Sequence, residues 1–118
     1  MPYGPSSILL KDRVALVTGA ATGIGRATSV LFARFGATLA LCDRDGGGLV
    51  EAAGLSGVVG GEEPAERPLT CVLDVRDGPA VVDFIGQVVD RFGRVDVLVN
   101  NAGGTFYSPF LDVSAKGE

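Results

Sequence analysis

The chain has 118 residues, enough for one domain with its own core; it is 47% hydrophobic, 7% aromatic, and has no histidine or tryptophan. Its net charge of −4 argues against a general nucleic-acid binder, which needs a basic surface to neutralise phosphates. Without histidine a Ser-His-Asp triad and a histidine-based metal centre are excluded, and no apolar run is long enough to span a membrane, so the sequence reads as a soluble, cytoplasmic protein.

Met1 to Lys11 carries Pro2, Pro5, Ser6 and Ser7 and reads as a mobile lead-in. Asp12-Arg13 opens a first strand, Val14 to Thr18, whose apolar run fits a strand covered on both faces. Gly19, Gly23 and Gly25 follow, and a helix is expected from Gly23 to Phe35, with Ile24, Ala27, Leu31 and Phe35 at three- and four-residue spacing. Gly36 ends it. A buried strand, a glycine turn and a helix N-terminus make a site for an anion, because backbone N–H groups and the positive end of the helix dipole meet there. The glycines allow positive φ and close approach of a phosphate, which makes the turn a candidate for a dinucleotide pyrophosphate; the same G-x-x-x-G-x-G turn also occurs as ordinary packing and in sheets that bind other nucleotides or S-adenosylmethionine. It is not a P-loop, since no Gly-Lys-Ser/Thr follows.

The second strand, Thr38 to Cys42, ends in Asp43, placed where a carboxylate can accept hydrogen bonds from an adenosine ribose. That carboxylate repels a 2′-phosphate and favours NAD, whereas the neighbouring Arg44 could compensate one and keeps NADP as the alternative cofactor. Thr22 adds no basic group for NADP. From Asp45 to Leu69 the signal weakens. Leu49 to Ala53 has the composition of a short helix, but Gly46-Gly47-Gly48 is a poor start, and the preferred reading is a glycine-rich linker outside the core. Gly54 to Pro68 reads as a flexible surface loop.

The third strand, Leu69 to Leu73, ends in Asp74-Val75. Asp77 is placed to cap the next helix, and Pro79 fits its first turn. Val81, Val82, Ile85, Val88, Val89 and Phe92 form its apolar stripe, and Gly93 ends it. A fourth strand, Val95 to Val99, runs into Asn100-Asn101-Ala102-Gly103-Gly104. Cys42 and Cys71 sit in strand-like runs and read as reduced core thiols. Strands separated by crossovers of this length are parallel, which gives an α/β fold: a Rossmann-type, doubly wound, three-layer αβα sheet of about four strands, incomplete at one edge. With order 3-2-1-4 the fourth strand lies at an open, apolar edge, from which the chain reads as the amino-terminal part of one about twice as long.

Thr18-Gly19-Ala20-Ala21-Thr22-Gly23-Ile24-Gly25 matches the T-G-x-x-x-G-x-G turn of the short-chain dehydrogenase/reductase family; Asp74-Val75 resembles its adenine-contacting D-V pair, and Asn100-Asn101-Ala102-Gly103 its N-N-A-G motif, with Asp96-Val97-Leu98-Val99 as the lead-in. The resemblance covers Asp12 to Gly104 and implies hydride transfer between NAD(H) or NADP(H) and a small alcohol or carbonyl compound, in a homo-oligomer. It implies that Gly19, Thr22, Gly23, Ile24 and Gly25 hold the pyrophosphate, Asp43 with Arg44 meets the adenosine ribose, Asp74 and Val75 flank the adenine, and Asn101, Ala102 and Gly103 line the nicotinamide side. The family's Ser and Tyr-x-x-x-Lys are not matched: the tyrosines are Tyr3 and Tyr107, the lysines Lys11 and Lys116, and no catalytic acid or base is assigned. Two other readings stand beside the enzyme. A non-catalytic dinucleotide-binding module uses the same motifs, and a methyltransferase binding S-adenosylmethionine shares the turn and Asp43 but leaves Asn100 to Gly103 unexplained.

Overall fold

Four short strands, each carrying small aliphatic side chains on both faces, form one parallel sheet in the order β3-β2-β1-β4. The strands are β1 (Val14–Thr18), β2 (Thr38–Asp43), β3 (Leu69–Val72) and β4 (Val97–Asn100). They alternate with helices α1 (Gly23–Arg34), α2 (Gly46–Gly57) and α3 (Gly78–Phe92). This is a computed structural model, and it describes residues 10–57 and 67–101. The expected order and parallel crossovers are those observed. Of the residues read as a lead-in, 1–9 lie outside the described range, while the Leu10 N–H donates to the Phe35 carbonyl at 2.7 Å.

Register divides the sheet into two faces. Leu16 lies beside Ala40 and Leu98, so Val14, Leu16, Ala40 and Cys42 point to the side where Phe84 and Val88 of α3 complete a core. Ala15, Val17, Leu39 and Leu41 point the other way, against Leu49 of α2 and the partly buried Phe32 and Ala33 of α1. The result is the expected three-layer arrangement. At the amino ends of the strands the Asp96 carboxylate accepts the Val14 N–H at 2.8 Å and Arg94 Nε at 2.8 Å, while the Asp96 N–H donates to the Val14 carbonyl at 2.9 Å. Those partners, the Val14 N–H first, hold the Asp96 carboxyl below its ordinary range and pin β4 to β1 at the end away from the glycine turn.

Helix α3 starts as expected: the Asp77 side chain accepts the Ala80 N–H at 3.2 Å, Pro79 occupies the first turn, and Gly93 closes the helix at φ 85°. Its stripe needs a correction. Phe84 and Val88, flanked by the partly buried Val81 and Phe92, face the sheet, whereas Val82, Ile85 and Val89 face outward. An apolar stripe this wide covers two adjacent faces of a helix, and only one meets the sheet. Among the described residues β4 lies at the edge of the sheet, paired with β1 alone, and Leu98 is exposed.

Helix α1 is also turned relative to the sequence reading. Its buried residues are Gly25 and Ser29; Ile24 is 75% exposed and Leu31 50%. Small residues win this face because the helix runs close to the strand it follows. The Ser29 hydroxyl is satisfied inside by donating to the Gly25 carbonyl at 2.8 Å.

The largest difference lies in α2. The segment from Gly46, read as linker, and residues 54–57, read as loop, form one helix of 12 residues that buries Leu49, Ala52 and Ser56. The glycine run lowers helix propensity, but tertiary structure overrides it. The Asp45 carboxylate accepts the Gly48 N–H at 3.0 Å and the Asp45 carbonyl accepts the Leu49 N–H at 2.9 Å, so Asp45 caps the first turn. A Cβ on Gly48 would sit 3.0 Å from the Ala21 Cβ, and a glycine there lets α2 lie against the turn between β1 and α1. The remainder of the expected loop, residues 58–66, lies outside the described range.

Candidate functional site

The carboxyl ends of the four strands are linked to one another. β1 ends at Thr18, and Gly19 follows at φ 65°, a left-handed turn that glycine makes without a steric penalty. The Thr18 hydroxyl is central: it accepts the Asn101 N–H at 3.0 Å and lies 3.3 Å from Asn100 Oδ1 and 3.4 Å from the Val99 carbonyl. Asn101 Nδ2 donates to the Gly19 carbonyl at 3.3 Å. The end of β4 is thereby tied to the start of the glycine turn.

Beyond Gly19 the chain passes through buried Ala20 and Ala21 and emerges at Thr22, Gly23 and Ile24, all exposed. Thr22 is the N-cap residue of α1, in extended conformation, and its side chain makes no capping hydrogen bond. Backbone N–H groups of a first helical turn have no partner within the helix, and here the N-cap side chain does not take them up. Gly23 has φ 59°, and a Cβ built on it meets nothing within 4 Å. Gly25 is different: a Cβ there would lie 2.0 Å from the Gly19 oxygen, so its hydrogen is what allows α1 to pack against the turn.

Asp43, at the end of β2, reaches across to this turn. One carboxylate oxygen accepts the Ala21 N–H at 3.0 Å and the other the Asp45 N–H at 2.9 Å. Asp74 follows β3 and is gripped by Arg76, whose guanidinium donates at 2.7 Å and 3.1 Å and whose backbone N–H donates at 2.9 Å. Arg44 stands 4.0 Å from the same carboxylate. The Leu73 N–H donates to the Asp43 carbonyl at 3.0 Å, which joins β3 to β2 at this end. Val75 packs against the core on the α3 side.

The Arg76 side chain, with its backbone N–H adding to it, lowers the Asp74 carboxyl from 3.8 to about 2. Because the folded value lies below the unfolded one, the interaction stabilises the protein fully above pH 3.8 and is lost as pH falls through about 2. Asp74→Asn is therefore expected to flatten the acid limb of a stability-versus-pH curve within that window. Superimposable acid limbs for the two proteins would contradict the pairing. Cys42 is buried, and burial pushes its thiol up to about 11, so it stays protonated at neutral pH.

Of the residues expected from sequence, Gly19, Thr22, Gly23, Ile24, Gly25, Asp43, Arg44, Asp74 and Asn101 gather at this end of the sheet; Ala102 and Gly103 lie outside the described residues, as do Tyr3, Tyr107 and Lys116. Arg26 joins them although no sequence motif points to it. Its Nε donates to the Ala21 carbonyl at 2.7 Å and its Nη2 to the Gly48 carbonyl at 3.3 Å. No group of His, Cys, Asp and Glu among the described residues is arranged to hold a metal ion, and no helix among them is long and apolar enough to cross a membrane.

The family model described as short chain dehydrogenase matches residues 13–117. A 3-oxoacyl-[acyl-carrier-protein] reductase of Thermotoga maritima is 44% identical over 100 residues, which is 81% of this chain and 37% of that protein. The D-threitol dehydrogenase of Mycolicibacterium smegmatis is 40% identical over 107 residues, 91% of this chain and 39% of that one. Among solved structures, a short chain dehydrogenase of Mycobacterium paratuberculosis bound to NAD superimposes with a TM-score of 0.73 at 29% identity, covering 92% of this chain and 43% of that chain. The chain thus spans about two fifths of the length of the relatives it matches. With a family model over nearly its whole length and the strand-end motifs assembled at one end of a parallel sheet, the chain belongs to the short-chain dehydrogenase family.

Proposed function

We propose that this chain is the cofactor-binding part of an oxidoreductase that moves a hydride between NAD(H) and an alcohol or carbonyl compound. The observation that carries the reading is the exposed, uncapped first turn of α1 beside Gly23, with the Asp43 carboxylate bonded to the same turn. The open space over Gly23 fits a pyrophosphate approaching the backbone, and the uncapped first-turn N–H groups with the helix dipole suit its charge. Thr22, Gly23 and Ile24 supply that cradle, while Gly19 and Gly25 shape it.

Asp43 keeps lone pairs beyond its two backbone bonds, enough to accept from a ribose hydroxyl, and its charge disfavours a 2′-phosphate there. Arg44 is drawn toward Asp74, which supports NAD over NADP. Asp74 and Val75 flank the adenine, and Asn101, Ala102 and Gly103 line the nicotinamide side. The bound dinucleotide supplies the hydride chemistry. The residues of this chain bind it, fix the ends of the strands and orient it; the 118 residues contain no Tyr-x-x-x-Lys pair to move the substrate's proton.

A fluorescence titration tests the reading. NADH is expected to bind at least about tenfold more tightly than NADPH, a difference of about 1.4 kcal/mol. Gly23→Val, which fills the space over the turn and strains a residue at φ 59°, is expected to abolish binding. Equal affinity for the two cofactors refutes the role given to Asp43, and unchanged binding by Gly23→Val refutes the pyrophosphate site.

A further inference from the structure

The glycine turn is held from behind on two successive peptide units. The first joins Ala20 to Ala21, and its N–H donates to Asp43 at 3.0 Å. The second joins Ala21 to Thr22, and its carbonyl accepts Arg26 Nε at 2.7 Å. In a trans peptide the N–H and C=O point in opposite directions, so fixing the Ala21 carbonyl onto Arg26 turns the Thr22 N–H away from that side chain. Ala21 is fully buried, whereas Thr22 is exposed, so the chain passes from the interior to the surface across this peptide.

Arg26 does not act as a surface charge. Its side chain is 27% exposed and also holds the Gly48 carbonyl, one turn into α2, at 3.3 Å. Gly48 in turn approaches Ala21 closely enough that a Cβ would stand 3.0 Å from the Ala21 Cβ. The helix built on Gly46-Gly47-Gly48 is therefore bolted to the turn by one packing contact and one guanidinium. The ion pair of Arg26 with Glu51 at 3.2 Å is the outer end of this arrangement; Glu51 is 70% exposed, where solvent screens such a pair and it adds little.

We propose that Arg26 is a positioning residue for the cofactor: held between the Ala21 and Gly48 carbonyls, it sets the plane of the Ala21–Thr22 peptide and so aims the turn's N–H groups at the pyrophosphate. Arg26 itself touches no part of the ligand. The inference rests on the proposed dinucleotide site and adds to it a reason for Gly48, where α2 lies against the turn.

The role separates from a general structural one by dissecting the ligand. Arg26→Gln shortens the side chain and removes the charge, and NADH affinity is expected to fall about tenfold, the size of one lost charge-assisted hydrogen bond transmitted to the site. Adenosine, which lacks the pyrophosphate, is expected to bind the variant within about twofold of the parent when followed by 15N chemical shifts, a difference well under 1 kcal/mol. Arg26→Lys keeps the charge but offers no planar fork, and its NADH affinity is expected between those of the parent and Arg26→Gln; it serves also if Arg26→Gln fails to fold. Equal losses for NADH and adenosine, or no loss for either, overturn the proposal while leaving the dinucleotide site intact. A parent protein that binds no NADH overturns both.

Discussion

Gly25→Ala is expected to destabilise the protein by about 3 kcal/mol, the upper end of what over-packing costs, and to abolish NADH binding. The added Cβ would lie 2.0 Å from the Gly19 oxygen, 2.7 Å from the Gly19 carbonyl carbon and 2.8 Å from Asn101 Nδ2. Two of those atoms are backbone, so the clash cannot be relieved by rotating a side chain. Either α1 moves away from the sheet or the turn at Gly19 opens, and each breaks the bond between Asn101 and Gly19. Chemical denaturation monitored by circular dichroism checks the stability. A change below about 0.5 kcal/mol, the range of ordinary surface substitutions, would mean that α1 is not packed where it is described.

The second large effect concerns Asp43. Asp43→Asn is expected to weaken NADH binding at least about tenfold while NADPH loses far less, so that the preference for NADH collapses. The carboxylate accepts one backbone N–H on each oxygen, from Ala21 and from Asp45. An amide offers only one acceptor oxygen, so one of those N–H groups must face an NH2 group, and the turn loosens. At the same time the charge that repels a 2′-phosphate disappears. Paired titrations with NADH and NADPH read both effects. An unchanged ratio of the two affinities would contradict the part assigned to the Asp43 charge.

Much of this architecture can be read from the chain. The apolar runs at Val14–Thr18 and Thr38–Cys42 locate two strands because a strand buried on both faces needs no alternation. Asp77 and Gly93 bound α3 through local chemistry, a capping carboxylate and a left-handed closing residue. The order β3-β2-β1-β4 follows from the crossover rules once the strands are known.

What local pattern misleads about is the helix faces. In α1 the aliphatic spacing of Ile24, Ala27 and Leu31 draws attention to residues that are exposed, because the buried face is set by the close approach at Gly25 and carries small residues. Helix α2 shows the same physics more strongly. Gly48 is unfavourable by propensity, yet a Cβ there would meet the capping Asp45 carboxylate at 2.6 Å and the Ala21 Cβ at 3.0 Å, and the second of these, 27 positions earlier, lies in no window of neighbouring residues. The glycine spacing and Asp43 mark out the turn proposed to take the cofactor, yet the link between them, Asp43 to the Ala21 N–H across 22 positions, and the brace from Arg26 become visible only when the strands are side by side. Ala102 and Gly103, read from the N-N-A-G motif, lie outside the described residues, whereas Asn101 is seen bonded to Gly19.

On the reading proposed above, the carboxyl ends of the four strands form a single dinucleotide site. Adding NADH to the 15N-labelled protein and following its amide resonances tests this most directly. Shifts are expected at Gly19 and Thr22 to Gly25 on the turn, at Asp43, at Asp74 and Val75, and at Asn101, with Asp96 and Gly93 at the opposite end of the sheet unmoved. Shifts centred on α3 or the amino ends of the strands, or none at millimolar NADH, would contradict it.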